Sequence, residues 1–248
     1  MRIPTSSPRI PGFRRTLAAL AAVLLVPAGG CASESDRAMC GVVVDSTGFA
    51  EYATAKDLIR RHLGGFADGC DWVGLAAITG NSVGTPCQVA SLRLYASDRE
   101  NPNRNPKIEE AVRAEKLKQV GAGAEKLLTC QDDPSGGSDV LGGLRAVGDR
   151  MKSAPKPDRD REIVVFSDLM SNVGVLDLNE SDYGEEQVRK DKVRELREKH
   201  LLPDLADTAV AVHGFNLLSE RDPDRVPQLR LLWTEIFTAA GVRELTID

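Results

Sequence analysis

The chain has 248 residues, a formal net charge of −5, 42% hydrophobic residues and only 4% aromatic ones. Acidic and basic residues are interspersed, and a mildly acidic chain of this kind argues against nucleic acid as its main partner. So few aromatics also leave little on which bases could stack, while the length suffices for one large domain with its own core.

The chain opens "MRIPTSSPRIPGFRRTLAALAAVLLVPAGGC", in which Arg2, Arg9, Arg14 and Arg15 precede an apolar stretch from Leu17 to Val26. A basic start, a short apolar run and small residues form an export signal, too short to span a bilayer as a mature helix. Its end, "VPAGGC", resembles a bacterial lipobox, with Ala28 where leucine is commoner. That resemblance implies a signal peptide over residues 1–30 and a lipid on the Cys31 thiol. A short tether over residues 31–39 and a domain over residues 40–248 follow. The expected location is the extracytoplasmic face of the cell membrane. Residues 31–38 extend over about 25–30 Å, so the domain would work close to the bilayer.

Next, "CGVVVDSTGFAEYATAKDLIRRHL" runs apolar to Asp45 and then turns into hydroxyls and glycine. The run predicts a buried strand, and Phe49, Tyr52, Ile59 and Leu63 recur at helical spacing. Asp45 therefore ends a strand, where open α/β sheets place ligand sites; capping of the following helix by Asp45 or Thr47 is the simpler alternative. "GGFADGC" reads as a turn into the strand "DWVGLAAITG", and "NSVGTP" as a short link to the strand "CQVASLRLYA", which makes that pair antiparallel. "NPNRNPKIEEAVRAEKLKQVGAGAEKLL" is helical, with "GAGAEK" read as an interruption. After the turn "DDPSGGSD" another helix begins, "VLGGLRAVGDRM".

"EIVVFSDLMSN" repeats the first pattern, an apolar strand ending in a carboxylate, here Asp168. "GEEQVRKDKVRELREKHLL" is a helix with a solvated charged face, on which Glu186 and Lys190 are spaced to pair. "TAVAVHGFNLL" is a strand, "RVPQLRLLWTEIFTAAG" a helix with Leu229, Trp233, Ile236 and Ala240 inward, and "VRELTID" a last edge strand. Strands alternating with helices predict an α/β fold: a doubly wound, mainly parallel sheet with one antiparallel strand and helices on both faces.

Asp45 and Thr47 in "VVVDSTGFA", Ser138 in "PSGGSDVLGGL" and Asp168 in "IVVFSDLMSN" come in an order that resembles the von Willebrand factor type A domain. Its metal-ion-dependent adhesion site uses Asp-x-Ser-x-Ser, a threonine from a Gly-rich loop and an aspartate after a later strand. The resemblance covers nearly the whole mature chain. It implies Mg²⁺ or Mn²⁺ bound directly by Thr47 and Ser138, with Asp45 and Asp168 acting mostly through water and one position left for a protein partner's carboxylate. Phe49 stands where the second serine belongs, and a phenyl ring is no ligand. Asp132, Asp133 and Asp139 flank the Ser138 loop and are the candidates to compensate.

Apart from Cys31, the cysteines form an even set in an exported chain, Cys40, Cys70, Cys87 and Cys130, for which two disulfides are expected. In the topology above, Cys40 and Cys70 lie at the lower edge of the sheet and Cys87 and Cys130 near the upper one, so those are the expected pairs. No C-x-x-C occurs, and His62, His200 and His213 lie far apart in sequence, which argues against a structural zinc site. The resulting function is a lipid-anchored protein-binding module rather than an enzyme. The alternatives are a metal-assisted hydrolase built on Asp45 and Asp168 and a structural envelope lipoprotein whose site is silent. Neither a Gly-x-Ser-x-Gly elbow nor a Walker phosphate loop occurs in the segments that carry the site.

Overall fold

A computed structural model describes residues 37–130, 136–156, 159–179 and 182–248. The leader, Cys31 and the tether up to residue 36 lie outside the described residues. The first strand, β1 (Ala38–Asp45), starts inside the segment assigned to the tether and is buried along its whole length. Its unbroken apolar run reflects a position at the centre of a sheet covered on both faces.

A 3-10 turn (Gly48–Glu51) and α1 (Ala55–Asp68) lead to β2 (Cys70–Ile78) and the two-residue β3 (Leu92–Arg93). Then follow α2 (Pro106–Leu128), α3 (Val140–Lys152), β4 (Arg161–Phe166) and the small hairpin β5 (Asn172–Val173) and β6 (Leu176–Asp177). The chain continues through α4 (Glu186–Glu198), β7 (Thr208–His213), α5 (Val226–Ala239) and β8 (Glu244–Ile247). The main sheet has the order β3-β2-β1-β4-β7-β8, with β3 antiparallel and the other pairs parallel. This is the expected doubly wound α/β architecture. Residues Asp36–Asp248 form a compact unit of their own, and among the described residues no helix is long and apolar enough to cross a membrane.

Alternating side chains feed two cores. Met39, Val43, Ile163, Val165, Val210 and Val212 pack with α3 and α5, around the fully buried Trp233. Cys40, Val42, Val44, Val164 and Phe166 face the other way, onto Ile59 and Leu63 of α1 and Val120 and Leu127 of α2. From β1 the chain winds outward through β2 and β3, then crosses back to β4 and outward the other way through β7 and β8. The order therefore reverses between β1 and β4. A crevice opens beyond the carboxyl ends of the strands at such a reversal.

Three local expectations are corrected. "GGFAD" is not a turn but the last stretch of α1, where Gly64 and Gly65 face open space and nothing forces the helix to stop before Gly69. "GAGAEK" does not interrupt α2, which runs unbroken to Leu128. A Cβ on Gly123 would sit 3.1 Å from Val89 and 3.2 Å from Leu75, so this glycine serves close helix-to-sheet packing. "CQVASLRLYA" pairs with β2 only at Leu92 and Arg93, in the antiparallel sense expected.

Both disulfides have the expected partners, Cys40 with Cys70 and Cys87 with Cys130, each with its Cα atoms 5.8 Å apart. Cys40 lies within β1 rather than before it. The second bridge ties the end of α2 to the segment after β2 and closes a span of 43 residues. Replacing Cys87 and Cys130 together by alanine is expected to lower stability by about 2–4 kcal/mol. Urea unfolding of the variant beside the reduced and oxidised parent protein measures it.

Candidate functional site

Asp45 is the last residue of β1 and is fully buried. Its Oδ1 accepts the Thr47 backbone N–H at 2.9 Å and the Thr47 hydroxyl at 2.5 Å, a tight turn in which the side chain organises its own loop. Its Oδ2 accepts the Ser167 hydroxyl at 2.7 Å, from the residue directly after β4. Since the Thr47 proton points to Asp45, the Ser138 hydroxyl in contact with it acts as donor to Thr47.

Ser138 is positioned from a third direction. Its N–H donates to Asn172 Oδ1 at 2.6 Å, and its carbonyl accepts from the Ser171 hydroxyl at 3.0 Å and the Asn172 N–H at 3.2 Å. Asp168 is buried, with Oδ1 accepting from Met170 N–H at 3.0 Å and Oδ2 from the Tyr52 hydroxyl at 3.3 Å. Next to it Leu169 takes a left-handed conformation, φ 58°, rare for a branched side chain. Ser167 Oγ accepts its N–H at 2.9 Å, and Trp233 Nε1 donates to its carbonyl at 3.0 Å. The strained turn that presents Asp168 is thus held from both sides, as such conformations require.

Asp45, Thr47, Ser138 and Asp168 therefore meet at the β1/β4 reversal. Thr47, Ser138 and Asp168 line a cleft of about 940 Å³ together with Cys130, Asn172 and Arg221, while the fully buried Asp45 stands behind Thr47. Burial, and next to it the nearby Asp168 charge, push Asp45 up to about 6, against the opposing hydrogen bonds from Thr47 and Ser167. Asp168 is raised chiefly by burial, opposed by Met170 N–H, the Tyr52 hydroxyl and the Arg221 charge. Tyr52 in turn is pushed up to about 12 by burial and by Asp168. Two raised carboxyl groups a loop apart form a site that positive charge would relieve.

Phe49 points away from the cleft. It is fully buried in the core, and a Cβ on Gly214, whose φ is 111°, would fall 2.5 Å from its ring. The residue that the resemblance sets at the second serine is thus a core residue under the site rather than a plug within it. Asp139 does not compensate: its Oδ1 caps α3 by accepting Gly142 N–H at 2.9 Å. Asp132 and Asp133 lie outside the described residues. The donors that remain are all oxygen, two hydroxyls and two carboxylates, a set that fits a hard divalent cation and no softer one.

Ser167, Asn172 and Arg221 are part of the arrangement and were not singled out from the sequence, while Tyr52, expected on a helix face, lies between the 3-10 turn and α1 with its hydroxyl on Asp168. Of these, Ser167 had a signal, since it adjoins Asp168 in "VVFSDLM". Arg221 lies with its guanidinium carbon 4.3 Å from the Tyr52 ring centroid and donates to Glu51 Oε2 at 3.0 Å. It puts a cation at the rim, beside the buried acids. Compared with known proteins, the chain matches no protein-family model and no curated sequence, so the reading of this site rests on its own geometry.

Proposed function

We propose that this chain is a membrane-anchored, extracytoplasmic binding module that engages a protein partner at the carboxyl edge of its sheet. The observation that carries the reading is that Thr47, Ser138 and Asp168, from three separate loops, line one cleft at the β1/β4 reversal, with the buried Asp45 hydrogen-bonded behind Thr47. Thr47 and Ser138 would hold Mg²⁺ or Mn²⁺ through their hydroxyls, with Asp45 and Asp168 behind them, and the cation would supply the charge that a partner's carboxylate seeks. The protein's own part is positioning: Ser167 and Thr47 orient Asp45, Asn172 orients Ser138, and Trp233 fixes the Asp168 turn. The type A-like adhesion module is the family reading that goes with this arrangement, and the lipid on Cys31 is its anchor.

Titration of the purified protein with Mg²⁺ and Mn²⁺, by calorimetry and thermal unfolding, tests this. Saturable binding is expected, with a gain of about 2.7 kcal/mol in stability at a hundredfold excess over Kd. Asp45→Ala, and the milder Thr47→Ala, should abolish or sharply weaken it. A second reading is favoured by Phe49 and Arg221: with one ligand turned into core and a guanidinium beside Asp168, the same cleft would bind its partner without a metal. No binding at millimolar metal would select that reading.

A further inference from the structure

Away from the cleft, two histidines distant in sequence meet. His62 on α1 and His213 at the end of β7 stack their rings with centroids 3.9 Å apart and 20° between planes. The strand explains one side of the contact. Val210 and Val212 face the core under α5, so His213, one residue on, faces α1.

The third member is Asp248, whose Oδ2 lies 2.6 Å from His213 Nδ1. This carboxylate is firmly placed. Its Oδ1 accepts Gly214 N–H at 3.2 Å, while the Asp248 N–H donates to Val212 carbonyl at 3.2 Å and its own carbonyl accepts Asn216 N–H at 3.1 Å. The Phe166 ring, 5.9 Å from the His213 ring by centroids, forms an apolar wall on one side. Solvent reaches the other, for the side chains of His213 and Asp248 are 16% and 44% exposed.

We propose that His62, His213 and Asp248 form a second metal site, selective for a borderline transition cation of the Zn²⁺ class. One ligand atom from each of the three lies within 4.8 Å of the others. Two imidazole nitrogens and a carboxylate oxygen suit Zn²⁺, and three protein ligands leave a fourth position for water or an incoming donor. The lone pair of an imidazole lies in the ring plane, so chelation takes a rotation of one ring out of the stack. His62 is free to make it: among the described residues no hydrogen bond holds its ring. His213 offers Nδ1, the nitrogen that already faces Asp248 Oδ2 at 2.6 Å, so the cation takes the place of the proton shared between them. The oxygen-only donors around Ser138 select Mg²⁺ or Mn²⁺, so the two sites sort cations by ligand chemistry and stand or fall separately.

The test is calorimetric titration of Zn²⁺ into the purified protein, prepared without a polyhistidine tag and in excess Mg²⁺. A single saturable site is expected, weakened at least about tenfold by His62→Ala or Asp248→Asn and unchanged by His200→Ala, which removes the remaining histidine. Metal-free melting curves of the variants establish that they fold. Absence of saturable Zn²⁺ binding overturns the proposal, as does binding that survives His62→Ala and Asp248→Asn intact.

Discussion

Replacing Asp45 by asparagine makes the cation-free protein gain in stability relative to the parent as pH rises from about 4 to about 6, by as much as ~3 kcal/mol. Burial and Asp168 lift the Asp45 carboxyl from 3.8 in the unfolded chain to about 6. Between those values the native state holds a proton that the unfolded chain releases. The contribution to stability is therefore full below the unfolded value, falls as pH rises through the window, and is flat above it. Asparagine does not titrate, and Ser167 Oγ retains acceptor capacity for its amide. Urea unfolding of both proteins in chelator, at intervals across this range, gives the difference directly. Parallel stability curves would refute the shift, whereas diverging ones with Mg²⁺ binding lost in the variant would show stability and ligation pulling on the same residue in opposite directions.

Trp233→Ala is expected to cost about 3–5 kcal/mol, the loss typical of a large side chain removed from a packed core. Trp233 is fully buried against Phe237, and its indole N–H is the donor to the Leu169 carbonyl. Trp233→Phe separates the two roles. It keeps most of the volume but leaves that carbonyl without its partner, at about 1–3 kcal/mol. Because Leu169 is held in a left-handed conformation beside Asp168, the phenylalanine variant should also weaken whatever binds at the cleft. Denaturant melts measure the first effect and cation titration the second; unaltered binding in Trp233→Phe would mean that Ser167 alone fixes the turn.

Asp45 and Asp168 were legible because each breaks an apolar run with a carboxylate, and parallel strands end on the same edge. Ser138 could be added since its helix must descend before β4 rises. The disulfide partners followed from the same up-and-down reasoning. Asn172 and Arg221 were not legible as site residues, because each lies outside the main sheet and its helices, where no periodicity says which way a side chain turns; Tyr52 was read onto a helix face, and only the break between the 3-10 turn and α1 turns its hydroxyl to Asp168. The His62, His213 and Asp248 cluster escaped for a related reason. It depends on a helix, a strand and the end of another strand meeting on one face, and the sequence spacing that argued against zinc says nothing about that. Glycines misled in the helices, where a missing Cβ signals a break locally but provides close packing at Gly123 and does no harm on the solvent face at Gly64 and Gly65.

The two disulfides join 40 with 70 and 87 with 130, so their loops follow one another without crossing. Among these four cysteines, each bonds to the neighbour next in line. With Cys31 taken by a lipid, as proposed, a polypeptide oxidised in the order of its synthesis would meet the native partner first at each step and would need no reshuffling. In that order the bond between β1 and β2 would close before the segment that carries Ser138 emerges, and the cleft would be assembled onto a foundation already closed.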